Sequence, residues 1–475
     1  MKELDDALTK ELVSAISRRD MLKLSALLGA GALLDAPKLF AGDDNNTTLP
    51  KVALGEKIVI VGGGDAGISI SARLCNAIEN PNITLIDPNP THYYQPGQTL
   101  IGGGVWKLSD IAYALKEHLP REVQLIESSA TAFDPDHNAL TLANGEKITY
   151  DYLVVATGLE YHYEAIKGIT RTMLGTFGMH SIYAPEDTER TFVMFENIAK
   201  ISHSKKVRAI FTHPDTPIKC GGAPKKIMML FEHYMRLEGK RENVEVIFAA
   251  AGGSHFGLEP YNGVLAKAFK DRSIVEKFNH NLVGVDAPNQ TATFMHTYQE
   301  QGEWDADLEE YDMVTRTKEV SISYDFLHIT PPMWANDAVK SSQLAWQKGG
   351  NAAMGFIEVD DVTLQHKRFP NVFAAGDVIG TKYGKTGGSV RKQAPVVAYN
   401  LLHVMQGKLE RQAYDGYTVC PLIMGYGSIL LAEFNYAGVT ASFPLDPAKE
   451  RWIWWLLKVY MLKPIYFYGM LKGRM

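Results

Sequence analysis

Cysteine is sparse in this 475-residue chain: there are three, Cys75, Cys220 and Cys420. So small and odd a number excludes a disulfide-stapled secreted domain, and any disulfide here is expected to be redox-active rather than structural. No Cys-x-x-Cys pair and no His or Cys cluster is present, so zinc-site and thioredoxin-like readings find no support in the spacing and no metal is expected. Basic residues are also outnumbered, 48 Lys and Arg against 54 Asp and Glu. With no long basic run, the net charge of −6 leaves no electrostatic footprint for nucleic acid.

What is present is enough for two or three domain-sized cores, since 46% of the residues are hydrophobic and Gly and Pro are used at ordinary levels. The first forty residues differ from the rest. Ser17-Arg-Arg-Asp-Met-Leu-Lys23 precedes an Ala/Gly/Leu-rich run from Leu24 to Leu34, the order of a twin-arginine export signal, and residues 1–42 are read as that segment. The run is too short to span a bilayer. Leu39-Phe-Ala41 is a poor small-x-small site, so cleavage near Ala41 stays open.

After a polar linker, Lys57-Ile-Val-Ile-Val61 predicts a buried parallel strand. It runs into Gly62-Gly-Gly-Asp-Ala-Gly67, a helix from Ile68 to Glu79, and a second strand, Ile83 to Ile86, ending in Asp87. A lone G-x-G-x-x-G is weak, but this whole order is the dinucleotide fingerprint. Gly62 permits the tight turn, Gly64 lets backbone approach a pyrophosphate, Gly67 lets helix and strand pack closely, and Asp87 can accept ribose hydroxyls. Cys75 lies on that helix and is read as packing.

Two later strand ends narrow the cofactor. Tyr152 to Gly158 closes on Ala-Thr157-Gly158, and Asn371 to Asp377 closes on Gly376-Asp377 before a Gly-rich loop and a helix from Ser389. They resemble the flavin-domain crossover and the late flavin-contacting strand of two-dinucleotide flavoproteins, and together imply FAD. A second βα-rich region lies between them. Its strand Val207 to Phe211 is followed by Thr212-His-Pro-Asp-Thr-Pro-Ile-Lys-Cys220-Gly-Gly-Ala-Pro224 instead of a Gly-rich turn, which is poorly suited to a pyrophosphate. The electron donor is therefore not expected to be a nicotinamide. An acid-rich insert, Tyr298 to Lys318, is expected as an exposed hairpin or loop.

Pro224 suits the first turn of a helix running to Leu237, which puts Cys220 near a helix N-terminus. Lys219, Lys225 and Lys226 flank it. They either favour the thiolate or are simply solvated helix-end residues.

Five blocks carry a wider resemblance: Ile218 to Met228, His328 to Met333, Leu364 to Phe373, Tyr414 to Leu422 and Leu431 to Phe434. From about Lys57 onward the chain is similar to the sulfide:quinone oxidoreductase family, in particular the branch that includes the mitochondrial enzyme. The resemblance implies a glutathione-reductase-like α/β fold of two Rossmann-like dinucleotide-binding domains. It also implies that Cys220 and Cys420 form a disulfide or trisulfide-like bridge that hydrosulfide attacks, one cysteine becoming a persulfide and the other donating electrons to FAD as a thiolate. The family's flavin contacts fall on Asp65, Ala66, Asp87, Gln95, Ala130 and Asp377, and Lys385 is a candidate to orient flavin or quinone carbonyls. The expected divisions are 55–166 and 325–445 for the FAD-binding domain, 167–324 for the second domain and 446–475 for a tail.

That tail, rich in Trp, Tyr, Lys and Arg but interrupted by Pro464, suits a headgroup interface, so an amphipathic membrane-binding segment is expected. Sulfide reduction of the flavin is expected to survive its removal. Expected partners are hydrosulfide, a membrane quinone and the lipid surface at the periplasmic face of the cytoplasmic membrane; a homo-oligomer is left open. The rival is the flavoprotein subunit of a flavocytochrome c-type sulfide dehydrogenase. That family ties its flavin to a cysteine soon after the first acidic strand end, and Asp87 to Trp106 contains none.

Overall fold

The structure, a computed structural model, describes residues 51–305 and 310–475; the twin-arginine segment lies outside them. The chain forms two compact units. The first is residues 51–93, 113–158 and 335–475 of the described chain, and the second residues 94–112 and 159–334.

The first unit begins with β1 (Ile58–Val61), α1 (Asp65–Ala77), β2 (Ile83–Ile86), β3 (Val123–Ile126) and β4 (Tyr152–Val155). All four residues of β1 and of β2 are buried, as continuous β-branched and Leu runs require when a parallel sheet is covered on both faces. The second unit then supplies β5 (Met179–His180), α2 (Pro185–Ile201), β6 (Val207–His213), α3 (Ala223–Leu237), β7 (Val244–Ala250) and β8 (Val275–Phe278). It also supplies β9 (His280–Asp286), β10 (Thr291–Asp305), β11 (Glu310–Ser323) and β12 (Phe326–His328). Back in the first unit come β13 (Val372–Ala374), α4 (Gly387–Met405), β14 (Thr418–Gly425) and β15 (Ser428–Asn435).

Each unit has a parallel five-stranded sheet, ordered β13-β4-β1-β2-β3 in the first and β5-β12-β6-β7-β8 in the second. The inner orders β4-β1-β2-β3 and β12-β6-β7-β8 correspond, with β1 and β6 in the middle, while the edge strand beside them comes last in the chain in the first sheet (β13) and first in the second (β5). The expected pair of Rossmann-like sheets is present. In the second unit β9-β10-β11 form an antiparallel ladder, and β10 and β11 make the hairpin expected around Tyr298 to Lys318.

The observed divisions correct the expected ones in three places. Glu160–Tyr161 pairs antiparallel with Met333–Trp334, so the second unit closes on itself there, and its bounds fall at Leu159 and Trp334 rather than 167 and 324. Residues 94–112 belong to the second unit because Gly102 and Gly103 sit against Ile182, Ile227 and Leu230. A Cβ on either glycine would come within 2.7–2.9 Å of those side chains. The C-terminal segment is no separate tail. Arg451 exchanges backbone hydrogen bonds with Ile429 of β15, Trp454 packs on Phe443 at 4.8 Å between ring centroids, and Trp454, Trp455, Tyr466, Phe467 and Leu471 are buried. Its helix carries wide i→i+5 turns at Leu457–Met461 and Ile465–Gly469, on either side of Pro464. No helix among the described residues is long and apolar enough to cross a membrane.

Candidate functional site

In the first unit the turn after β1 forms a cradle of backbone. Gly62, at φ +113°, lies so close to β4 that a Cβ would sit 2.2 Å from the Ala156 carbonyl, and one on Gly67 would sit 1.9 Å from the Gly62 carbonyl. Both positions therefore demand glycine. A Cβ on Gly64 would instead meet open space, and Gly64 starts the 13-residue α1 with no side-chain cap. A helix N-terminus of this kind favours an anion.

Asp87 first serves the turn itself, its Oδ2 accepting from the Gly63 N–H at 2.6 Å and its Oδ1 from the Asn89 N–H at 2.7 Å. The remaining carboxylate lone pairs are what a ribose could use. Asp65 accepts the Ala66 N–H at 2.9 Å, so a pyrophosphate there competes with that carboxylate for the amide. Thr157, just past β4, has a buried Oγ1 with no hydrogen-bond partner, and Gly158 beside it, at φ +68°, is surrounded by open space. An orphaned hydroxyl, an open glycine and an uncapped helix start fit a dinucleotide cofactor. Ala130 begins a strand, Ala130–Asp134, of a small antiparallel ladder in the same unit.

The Gly376-Asp377 end of β13 is held from α4. Gln393 Oε1 accepts from the Gly376 N–H at 2.8 Å, and its Nε2 donates to the Gly384 carbonyl at 3.1 Å. Sequence reasoning missed Gln393, which stands mid-helix with nothing local to mark it. Asp377 and Lys385 do come together, but Lys385 Nζ donates to the Asp377 and Ile379 carbonyls at 2.5 and 2.7 Å and lies 3.7 Å from the Phe356 ring centroid. Its ammonium therefore ties the loop together. Burial lowers its pKa to about 8, with Asp377 pulling the other way. Cys420 is buried on β14 opposite Ala432, where Gly388 of α4 approaches its neighbour Val419 so closely that a Cβ would come 2.1 Å from Val419 Cγ1.

In the second unit Cys220 follows β6 in the left-handed conformation, φ 51°, a strain of about 1–2 kcal/mol for a residue with a Cβ. Its carbonyl accepts the Ala223 N–H at 2.7 Å as α3 begins, and Lys226 Nζ donates to its sulfur at 3.0 Å. All three flanking lysines are buried, at 8, 4 and 3% exposure, which rules out the solvated helix-end reading. Lys219 bonds Tyr161 Oη and Gln95 Oε1 and lies over the Tyr161 ring, while Lys225 lies 4.9 Å from the Phe248 ring centroid. Gln95 is thus placed in the second unit, on a lysine beside Cys220. Tyr161 and Phe248 were not foreseen, since only the tertiary fold brings them to the thiol turn. Cys75 is different: burial, with Glu122 adding, pushes its thiol up to about 12, which leaves it an inert packing residue.

Residues 56–193 match the family model for pyridine nucleotide-disulphide oxidoreductases. The mitochondrial sulfide:quinone oxidoreductase of Dictyostelium discoideum is 37% identical over 88% of this chain and 86% of its own length, and that of Mus musculus 34% over the same shares. The X-ray structure of the sulfide:quinone oxidoreductase from Aquifex aeolicus superposes with a TM-score of 0.67 at 20% identity, covering 88% of this chain and 92% of that one, and so shares the fold. The glycine cradle, the two thiol-bearing blocks and identity of this extent lead to one conclusion: the chain belongs to the sulfide:quinone oxidoreductase family, with FAD as its cofactor.

Proposed function

We propose that this protein oxidises hydrosulfide at Cys220 and Cys420 and delivers the electron pair to a quinone. The observation that carries the reading is the strained Cys220, in the family's cysteine-bearing block, with a buried ammonium 3.0 Å from its sulfur. A cation that close stabilises negative charge on sulfur and so favours exchange chemistry.

The resting enzyme holds the two cysteines joined, directly or through a bridging sulfur. Hydrosulfide sulfur bonds to one bridge sulfur as the S–S bond breaks, leaving a persulfide on one cysteine and a thiolate on the other. FAD, when bound, supplies the two-electron acceptor that links the thiols to the quinone. Lys226 balances the thiolate charge while the electron pair leaves. Transfer of the outer persulfide sulfur to a nucleophilic acceptor frees the second thiolate, and the cycle closes when the two cysteines re-form their S–S bond as the electron pair leaves. Gly62, Gly64, Ala66, Gly67, Thr157 and Gly158 hold the cofactor by backbone and hydroxyl, Asp87 takes the ribose, and Asp377 with Ala130 completes the site.

Quinone access comes from the bilayer interface. The C-terminal helix exposes Tyr460 and Tyr468, at 67 and 73%, and rings of this kind suit the headgroup layer of the cytoplasmic membrane. Mixing purified protein anaerobically with sulfide, then with a soluble quinone, tests the whole reading. Sulfide is expected to bleach the flavin and quinone to restore it. NADH is expected to do neither, because the Pro-rich turn after β6 offers no pyrophosphate cradle. Rapid bleaching by NADH would overturn the reading.

A further inference from the structure

Gly63 is held from both sides of its backbone. Its N–H goes to Asp87, and its carbonyl lies 3.2 Å from Nδ1 of His92. A carbonyl only accepts, so Nδ1 carries the proton. His92 is 4% exposed and burial lowers its pKa to about 4, so the ring is neutral near pH 7 and has one proton to place. Its other nitrogen, Nε2, lies 2.7 Å from Tyr466 Oη, and with Nδ1 protonated the phenol must be the donor.

Tyr466 is fixed in turn by the packing of the C-terminal segment. Its ring stacks on His92 at 5.9 Å, and Phe467 wedges against Tyr113 at 4.5 Å and His118 at 4.8 Å. Beyond it, Asn76 Nδ2 on α1 donates to the Lys472 carbonyl at 3.2 Å. Gly473, at φ +66°, lies so close to α1 that a Cβ would come 2.9 Å from the Arg73 nitrogen. The last residues of the chain thus touch the cofactor-binding strand–turn–helix at two points.

We infer that Tyr466 is a positioning residue for the cofactor turn: by donating to Nε2 it holds His92 in the tautomer whose Nδ1–H grips the Gly63 carbonyl. That grip orients the Gly63–Gly64 peptide at the start of α1, where the pyrophosphate of FAD is bound. With the phenol gone, the ring proton is free to move to Nε2. Nδ1 then turns a lone pair toward the Gly63 carbonyl and the turn is released. The inference rests on FAD as the cofactor and is independent of the sulfur chemistry.

Titration of apoprotein with FAD, followed by flavin fluorescence, tests it together with nitrogen-15 NMR of histidine-labelled protein. Tyr466→Phe is expected to raise the Kd for FAD by about fivefold to tenfold, the worth of one buried hydrogen bond. It is also expected to shift the His92 signal from the Nδ1–H toward the Nε2–H form. His92→Asn keeps a donor near the Nδ1 position and is expected to bind FAD nearly as the native protein does, whereas His92→Ala is not. Adding Tyr466→Phe to His92→Asn should cost nothing more. An unchanged Kd and tautomer in Tyr466→Phe would overturn the inference. So would a full loss of affinity from Tyr466→Phe in the His92→Asn background, because the phenol would then act by another route.

Discussion

The turn after β1 and the turn after β6 occupy equivalent places, each leaving the middle strand of a parallel five-stranded sheet for the helix that follows. The first has Gly62 and Gly67, whose missing side chains are filled by neighbouring backbone, and Gly64, which faces open space at an uncapped helix start. The second has Pro214, Pro217 and Pro224, a left-handed Cys220 and three buried lysines. The same topology thus supplies free backbone N–H groups for an anionic cofactor in one unit and a charge-balanced sulfur in the other. Chemistry here is decided by what fills one turn, and the sheet order is silent about it.

The sharpest way to break this comparison is at the sulfur. Cys220→Ser or Cys420→Ser is expected to leave FAD bound and to abolish stopped-flow bleaching of the flavin by sulfide, since either removes a member of the proposed exchangeable bridge; a variant that keeps the native rate refutes the relay. Next come the glycines. Gly67→Ala drives a Cβ into the Gly62 carbonyl and should leave little flavin bound, while Gly64→Ala, which meets open protein space, should melt near the native temperature yet bind FAD at least about tenfold more weakly. Equal behaviour of the two variants would mean that the open space is not the cofactor's.

Smaller effects sharpen the contrast. Lys226→Met should slow sulfide attack by about tenfold with FAD affinity unchanged, and Lys226→Arg should recover much of the rate, which stopped-flow on both variants will show. Acid should then weaken both units. Burial holds His92 and His366 at about 4 in the first unit, and His233 at about 4 and His328 at about 3 in the second. The unfolded chain takes up these protons near 6.5, so stability is full above that value and falls as pH drops toward 4. Melting curves between pH 7 and 4 measure this, and a flat profile would show that the histidines are reached by solvent.

The glycine cradle was legible in the sequence because its signals are local: strand, glycines, helix and Asp87 follow one another in the order that the fold uses. The Pro-rich thiol turn after β6 was legible for the same reason, and the two parallel sheets agree with the expected two-Rossmann fold. What escaped depended on distant residues. Lys219 and Lys225 looked like helix-end lysines until Tyr161 and Phe248 arrived from other strands to cover them. The C-terminal segment was legible only in part, since aromatic rings with basic neighbours suit a lipid headgroup layer and a protein face equally well. Its Trp454, Trp455 and Phe467 turn inward, so cutting before Arg451 removes part of the first unit's core instead of a separable anchor.

The order in which the chain is made gives the strand pairing a consequence in time. β4 finds its outer neighbour only when Leu153 meets Val372, and residues 159–334 of the second unit must emerge from the ribosome between them. Gly473, which closes against α1, is made long after Arg73, the residue it meets there. The cofactor turn is therefore made well before the segments that finish it, so stable FAD loading waits until β13 and Gly473 have been added.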